Sequence, residues 1–243
     1  MEETSPFGHA LLVTGPESLL AERAVNGFIA RATAERPDAA VVRVEGGQVN
    51  GGSLAEAAGG SLFASATVLV VTDLSELAPE LADQVVGMAS EPGSDLALAL
   101  VHPGGNKGKN LLDRLRKLRT ELVDCPTIKP WDLPQFVSAE TRRQQGRIDA
   151  ATSGVLVDAV GSDPRSLVAA IRQLLDDAPE RVITETAVRR YFGPGCCVNS
   201  LAARPFSSSS SVAVTEYLPD IASTSTRNST SRPALDSMPE VNS

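Results

Sequence analysis

The sequence predicts an α/β protein: a parallel five-stranded sheet covered by helices, then a small helical domain and a disordered tail. Three observations support this prediction. Five short apolar segments alternate with helical patterns in the first half of the chain, strand patterns disappear after a proline-rich linker, and the last fifth is rich in Ser and Thr. Parallel strands are buried on both faces and therefore read as continuous apolar runs.

The five predicted strands are short runs of mainly Val, Leu and Ala, a composition typical of buried strands. They are residues 9–14, 41–45, 67–71, 96–101 and 121–124. The helices predicted between them are 18–36, 53–58, 77–88 and 111–118, with Ser53 as the N-cap of the second. A helix between two strands supplies the crossover that a parallel pair requires. These elements predict a first domain at residues 8–125.

Pro126, Pro130 and Pro134 mark a linker, after which only helical patterns follow. The predicted helices are 135–145, 150–160, 164–176 and 184–191. We expect a helical lid domain at residues 126–195, and we expect Trp131 to be wedged between the two domains.

Residues 196–243 differ sharply in composition from the rest of the chain. They contain twelve Ser and four Thr and have no periodic apolar pattern. Such a segment cannot bury enough apolar surface to offset the entropy of ordering, so we expect a disordered tail. The abrupt change also suggests the hypothesis of a frameshift that replaces a further domain.

Composition narrows the range of functions. The 243 residues carry a net charge of −8, which argues against autonomous nucleic-acid binding because phosphate contacts need basic surface. The three cysteines fit neither a disulfide framework nor a metal-site spacing. The sequence has no apolar run of about 18 residues and no signal-peptide pattern, so we expect a cytoplasmic protein without a membrane segment.

Residues 103–110 look like a phosphate-binding loop that has lost its chemistry. A P-loop needs Gly, four residues and then Gly-Lys-Ser/Thr, because backbone amides wrap the phosphates and the hydroxyl holds magnesium. Here Pro103 takes the place of the first Gly, and Asn110 takes the place of the hydroxyl residue. The turn at 13–18 lacks lysine, and its Glu17 would repel phosphate. The sheet therefore has the layout of a nucleotide-binding fold without the chemistry.

The same region is the most basic part of the chain. Its candidate contact residues are Lys107, Lys109, Arg114, Arg116 and Lys117. Two interpretations stay open: a solvated helix face, or a surface that meets a nucleic acid or an acidic partner. His9 and His102 have no neighbouring ligand residues and are expected to be structural, and we find no catalytic constellation, metal site or cofactor site in the sequence.

One apolar pair, Leu62 and Phe63, lies among small residues just before the third predicted strand. Gly59, Gly60 and Ser61 precede the pair, and 64–66 are Ala-Ser-Ala. Such a pair is either a corner of the core or a plug for a partner's pocket.

Several segments together carry a family resemblance. They are 15–20 at the first turn, 61–65 before the third strand, 104–109 after the fourth, 161–167 at a helix start and 191–193 near the end of the lid. In this order the chain resembles AAA+ proteins, and in particular the δ-subunit family of the bacterial DNA polymerase III clamp loader, over about residues 8–195. The high Ala, Val, Arg and Gly content suggests an actinobacterial source.

The resemblance implies an AAA+-like domain without a functional P-loop, followed by a lid. It implies a DNA replication subunit that has no catalytic activity and no cofactor of its own. Such a subunit counts as part of a DNA-directed DNA polymerase, which is a nucleotidyltransferase, only because it belongs to the holoenzyme. The implied partners are the sliding clamp (β), the clamp-loader ATPase (τ/γ) and δ′ subunits, and primed DNA only within the complex.

In this family an apolar pair opens the clamp, and the matching pair here is Leu62 and Phe63. Arg165 matches a lid position that reads nucleotide in active relatives. The family's third domain, a helical collar, has no counterpart in the sequence. The alternatives are a nucleotide-binding enzyme with a degenerate phosphate loop at 104–109, or a nonfunctional truncated product.

Overall fold

The computed structural model describes residues 5–59 and 64–193. Its first part, the sheet region (5–59 and 64–125), contains five parallel strands in the spatial order β2-β3-β4-β1-β5. The strands β1 to β5 are Ala10–Thr14, Ala40–Glu45, Thr67–Thr72, Leu96–His102 and Glu121–Asp124. The helices α1 to α4 are Ser18–Glu35, Gly51–Ala58, Ala82–Ser90 and Lys109–Leu115. The predicted parallel α/β architecture is confirmed.

Two apolar cores lie on opposite faces of this sheet. On one face Leu12, Leu69 and Leu98 pack with side chains of α2, α3 and α4. On the other face Leu11 and its neighbours pack against α1. Alternate residues of the central strands thus enter different cores, since successive side chains of a strand point to opposite faces. This two-sided burial explains why these strands read as unbroken apolar runs.

The helical region, residues 126–193, has a separate core. Its helices α5 to α8 are Leu133–Arg143, Ala150–Val160, Pro164–Asp177 and Glu185–Phe192. Their buried side chains, including Val137, Leu156, Leu167 and Ile171, form one cluster. The four predicted helices are therefore present to within about two residues at each end. The predicted division of the chain at residue 125 remains a prediction.

Contrary to our expectation, the helical region also contains strands. β6 (Arg147–Ile148) and β7 (Val182–Ile183) pair in parallel. Two residues are too few for strand periodicity to show in a sequence. The pair lies where Gly146 passes close to Leu175, and a Cβ on Gly146 would be 2.3 Å from a methyl of Leu175.

The predicted helix over 77–88 and the Ser53 N-cap are both wrong in detail. Two 3-10 turns, Leu74–Glu76 and Pro79–Leu81, precede α3. Pro79 disfavours helical geometry at the residue before it, and that residue is extended with ψ of 133°. The N-cap of α2 is Asn50, whose side chain accepts a hydrogen bond from the Ser53 N–H at 2.9 Å while Ser53 Oγ accepts from the Asn50 N–H.

Trp131 is also not the buried wedge that we expected. It lies in a 3-10 turn, Pro130–Asp132, and 72% of it is exposed. The ammonium of Lys129 lies 5.3 Å from the centre of its ring, a cation–π contact that needs no burial.

Two predicted features lie outside the described residues. They are the Leu62–Phe63 pair and the tail at 196–243. Within the described residues, no helix is long and apolar enough to cross a membrane.

Candidate functional site

A crevice of about 260 Å³ opens at the carboxyl edge of the sheet. This is where parallel α/β sheets generally bind ligands. The turn after β1 contributes Gly15 and Pro16, the end of β3 contributes Thr72 and Asp73, and Val101 and Pro103 come from β4 and the residue that follows it. Side chains of α1 complete the wall, among them Ala21, Glu22 and Val25.

Three backbone amides of the turn after β1 are already bonded within the protein. The N–H of Gly15 donates to the carbonyl of His102 at 3.0 Å, and the N–H of Glu17 donates to the carbonyl of Cys125 at 3.1 Å. The N–H of Leu19 donates to the Glu17 carboxylate at 3.3 Å. Phosphate loops work because such donors face the ligand. In this turn three of them face protein oxygens instead.

The charges around the crevice also disfavour a polyphosphate. Glu22 and Asp73 line it, and no lysine does. The one lining arginine, Arg43, donates to the side-chain oxygen of Asn26 at 3.0 Å. Among the described residues no group of three His, Cys, Asp or Glu side chains could hold a metal ion. The crevice therefore has the position of a nucleotide site, but three amides beside it and its lining arginine are bonded to other groups of the protein.

The second candidate loop, 104–109, follows β4 rather than β1. Its first amide, that of Gly104, donates to Nδ1 of His102 at 2.9 Å. Since Nδ1 accepts, the proton of the neutral ring is on Nε2, which is buried without a hydrogen-bond partner in the described structure. The pKa of His102 is lowered, mainly because the ring is buried. The ring of His102 thus holds the start of this loop through the Gly104 amide.

The basic stretch is largely neutralised by neighbouring carboxylates. Lys107 pairs with Glu76, Arg114 pairs with Asp83 at 2.7 Å, and Arg116 lies 3.7 Å from Asp124. Of these five residues, Lys109 and Lys117 are exposed and form no ion pair within the described part of the chain, and the neighbouring Arg119 is exposed and unpaired as well. A basic contact surface here stays a prediction.

Sequence reasoning missed two groups of residues. Asp73 has a left-handed backbone (φ 51°) and accepts from Ser75 Oγ at 2.7 Å, and only its place after an apolar strand could have suggested it. The second group is the set of ion pairs between α1 and the helical region, Arg165 with Glu22 and Arg23 with Glu140. Pairs between residues more than 100 positions apart give no local sequence signal.

Comparison with solved structures finds matches of low sequence identity. The Bacillus subtilis DNA clamp loader delta protein matches with a TM-score of 0.53 and 14% identity, over 74% of this chain and 57% of that protein. The Thermotoga maritima RuvB Holliday junction branch migration motor matches with a TM-score of 0.47 and 14% identity, over 75% of this chain and 60% of that one.

No family model matches the sequence, and no curated protein matches it. This chain spans little more than half of the clamp loader delta protein that it resembles. At so low an identity the likeness concerns the fold, and it shows that this chain has an AAA+-like α/β fold.

Proposed function

We propose that this chain is a non-catalytic clamp-loader subunit of the δ type, which binds a ring-shaped sliding clamp and favours its open form. The observation that carries the proposal is the shared fold, which extends over 74% of this chain. The occupied amides of the turn after β1 support it further, because they fit an AAA+-like subunit that does not use a nucleotide. These internal hydrogen bonds favour a subunit that does not bind nucleotide over an ATPase of the same fold.

The contact with the clamp is proposed for Leu62 and Phe63. In the sequence the pair stands between small residues, Gly59, Gly60 and Ser61 before it and Ala64, Ser65 and Ala66 after it. An aliphatic and an aromatic side chain that enter an apolar pocket are typical interface hot spots. Clamp opening then needs only that this chain binds the open clamp more tightly than the closed one.

The remaining partners follow from the same proposal. The subunit would work in the cytoplasm with the clamp-loader ATPase (τ/γ) and δ′ subunits and would meet primed DNA only within that complex. The net charge of −8 supports the indirect role for DNA, because an acidic chain gains little from phosphate contacts on its own. Within the complex, Lys109 and Lys117 are the proposed points of contact with an anionic partner.

Replacement of the apolar pair tests the proposal. We expect Leu62→Ala/Phe63→Ala to weaken clamp binding by about 100-fold or more, since each hot-spot truncation costs on the order of 2 kcal/mol. Surface plasmon resonance against the purified β clamp measures the change, and circular dichroism verifies the fold.

Leu122→Ala is the matched control, because Leu122 is an exposed leucine on β5 and is 47% accessible. This variant should bind the clamp like the wild type. Equal affinity of the wild type and the double variant would contradict the assigned pair, and no binding by the wild type would contradict the proposed function.

Nucleotide titration separates this proposal from the degenerate phosphate-loop enzyme. We expect no saturable heat when ATP and Mg²⁺ are titrated into the chain, because three amides of the first turn are bonded internally and Glu22 and Asp73 line the crevice. Isothermal titration calorimetry measures it, with Lys109→Ala as the diagnostic variant. Binding that this substitution abolishes would instead support an enzyme that uses the loop at 104–109.

A further inference from the structure

Helix α1 presents two adjacent residues of opposite charge, Glu22 and Arg23, to the helical region. Glu22 pairs with Arg165 in the first turn of α7, and Arg165 also donates to Ser18 Oγ at 3.3 Å. Arg23 pairs with Glu140 of α5 at 2.8 Å. Two neighbouring charges of one helix are thus matched by opposite charges on two other helices.

The two pairs differ strongly in burial. The side chains of Arg165 and Glu22 are 47% and 59% exposed, whereas those of Arg23 and Glu140 are 22% and 5% exposed. An exposed pair contributes little to stability, because water and salt screen it. Removal of one member of a buried pair is strongly disruptive, because a charge is left without compensation. Of the two pairs, Arg23–Glu140 is therefore the one in which removal of a single partner should disturb the contact between the regions more.

A further hydrogen bond fixes the buried carboxylate of Glu140 in place. Glu140 also accepts a hydrogen bond from Gln144 Nε2 at 2.9 Å, one turn later in the same helix. Its carboxylate is therefore held by its own helix and faces Arg23. A carboxylate held in this way favours one orientation of α1.

The order of the charges makes that orientation specific. Successive residues of an α-helix are about 100° apart around its axis. A rotation of α1 by one residue would bring Arg23 towards Arg165 and would remove the cation from Glu140. Like charges in contact and an unpaired buried carboxylate both disfavour the alternative arrangement.

We propose that Glu22, Arg23, Glu140 and Arg165 form a charge latch that holds the helical region against α1 in one orientation without any bound nucleotide. The latch concerns the internal geometry of the chain and does not depend on clamp binding. It assigns to Arg165 the role of a structural tie between the two regions.

Distance measurement between the two regions tests the latch. Spin labels on Ser90→Cys and Gln173→Cys, both at exposed positions, report the separation in a Cys196→Ser/Cys197→Ser background in which Cys125 stays buried. The wild type should give one narrow distance distribution that ATP and Mg²⁺ leave unchanged. Arg23→Glu should widen it about twofold or more, because regions joined only by a linker move relative to each other.

Two further variants decide how the result is read. Arg31→Glu is the matched control, since Arg31 lies on the same helix but pairs with Glu121 inside the sheet region, at 2.9 Å. This variant should leave the distance distribution narrow. Glu140→Arg added to Arg23→Glu reverses the buried pair and should narrow the distribution again.

The milder variant Arg23→Gln provides a second measurement, because it removes the cation without placing a second carboxylate beside Glu140. It should keep the wild-type circular dichroism spectrum and widen the distribution. A folded Arg23→Glu or Arg23→Gln variant with the narrow wild-type distribution would overturn the latch. A wild-type distribution that shifts with nucleotide would overturn it as well.

Discussion

Gly15→Ala should destabilise the chain by about 2 to 5 kcal/mol, the sum of backbone strain at positive φ and overpacking at a site that cannot relax. Gly15 has φ of 136°, and a Cβ built on it would lie 2.1 Å from the carbonyl oxygen of Cys125. That oxygen accepts the hydrogen bond of Glu17, so its displacement would also break the turn after β1. Urea unfolding followed by circular dichroism measures the loss.

Gly27→Ala is the matched control for this substitution. Gly27 lies within α1, and a Cβ there meets no atom within 4 Å. Alanine is the better helix former, so this variant should be more stable by about 0.5 to 1 kcal/mol. Equal stability of the Gly15→Ala variant and the wild type would show that the end of β5 is free to move.

Acidification from pH 7 to pH 5 should destabilise the fold through His102. The imidazole is buried, its pKa is lowered mainly by that burial, and Nδ1 already accepts from the Gly104 N–H. The unfolded chain therefore binds the proton more readily than the folded chain. The stability is complete above the unfolded pKa of about 6.5 and falls below it, by at most about 1.4 kcal/mol per pH unit for this one group.

His102→Asn removes this part of the pH dependence. The Asn side-chain oxygen can still accept from Gly104, but the residue does not titrate. Urea unfolding at several pH values between 5 and 8 should give a flatter curve for this variant than for the wild type. A variant at His102 with an unchanged slope would contradict the assignment.

Much of the fold could be predicted from the sequence, because burial on both faces leaves a clear record. β1, β3 and β4 are apolar along almost their whole length, and Leu11 and Leu12 serve opposite cores. Elements of only two or three residues give a weaker pattern in the sequence. The pair β6 and β7 has two residues in each strand, and the 3-10 turns before α3 look like part of a helix until Pro79 is taken into account.

The candidate site was harder to predict than the fold. The lack of a lysine and the presence of Glu17 could be read directly from the turn after β1. The hydrogen-bond partners of its amides could not be read from the sequence, because the carbonyls of His102 and Cys125 come from the end of β4 and from the residue after β5. The neutralised charge of the basic stretch was hidden for the same reason, since Glu76 and Asp83 come from a different part of the chain.

The exposure of Trp131 gives the chain a built-in optical signal. It is the sole tryptophan, and it lies at the start of the helical region in contact with water. Its fluorescence will already resemble that of a solvated indole in the folded state and will change little when either core unfolds. A partner that covers this turn would transfer the indole to an apolar setting and shift its emission to the blue, so association at the junction can be followed without a label.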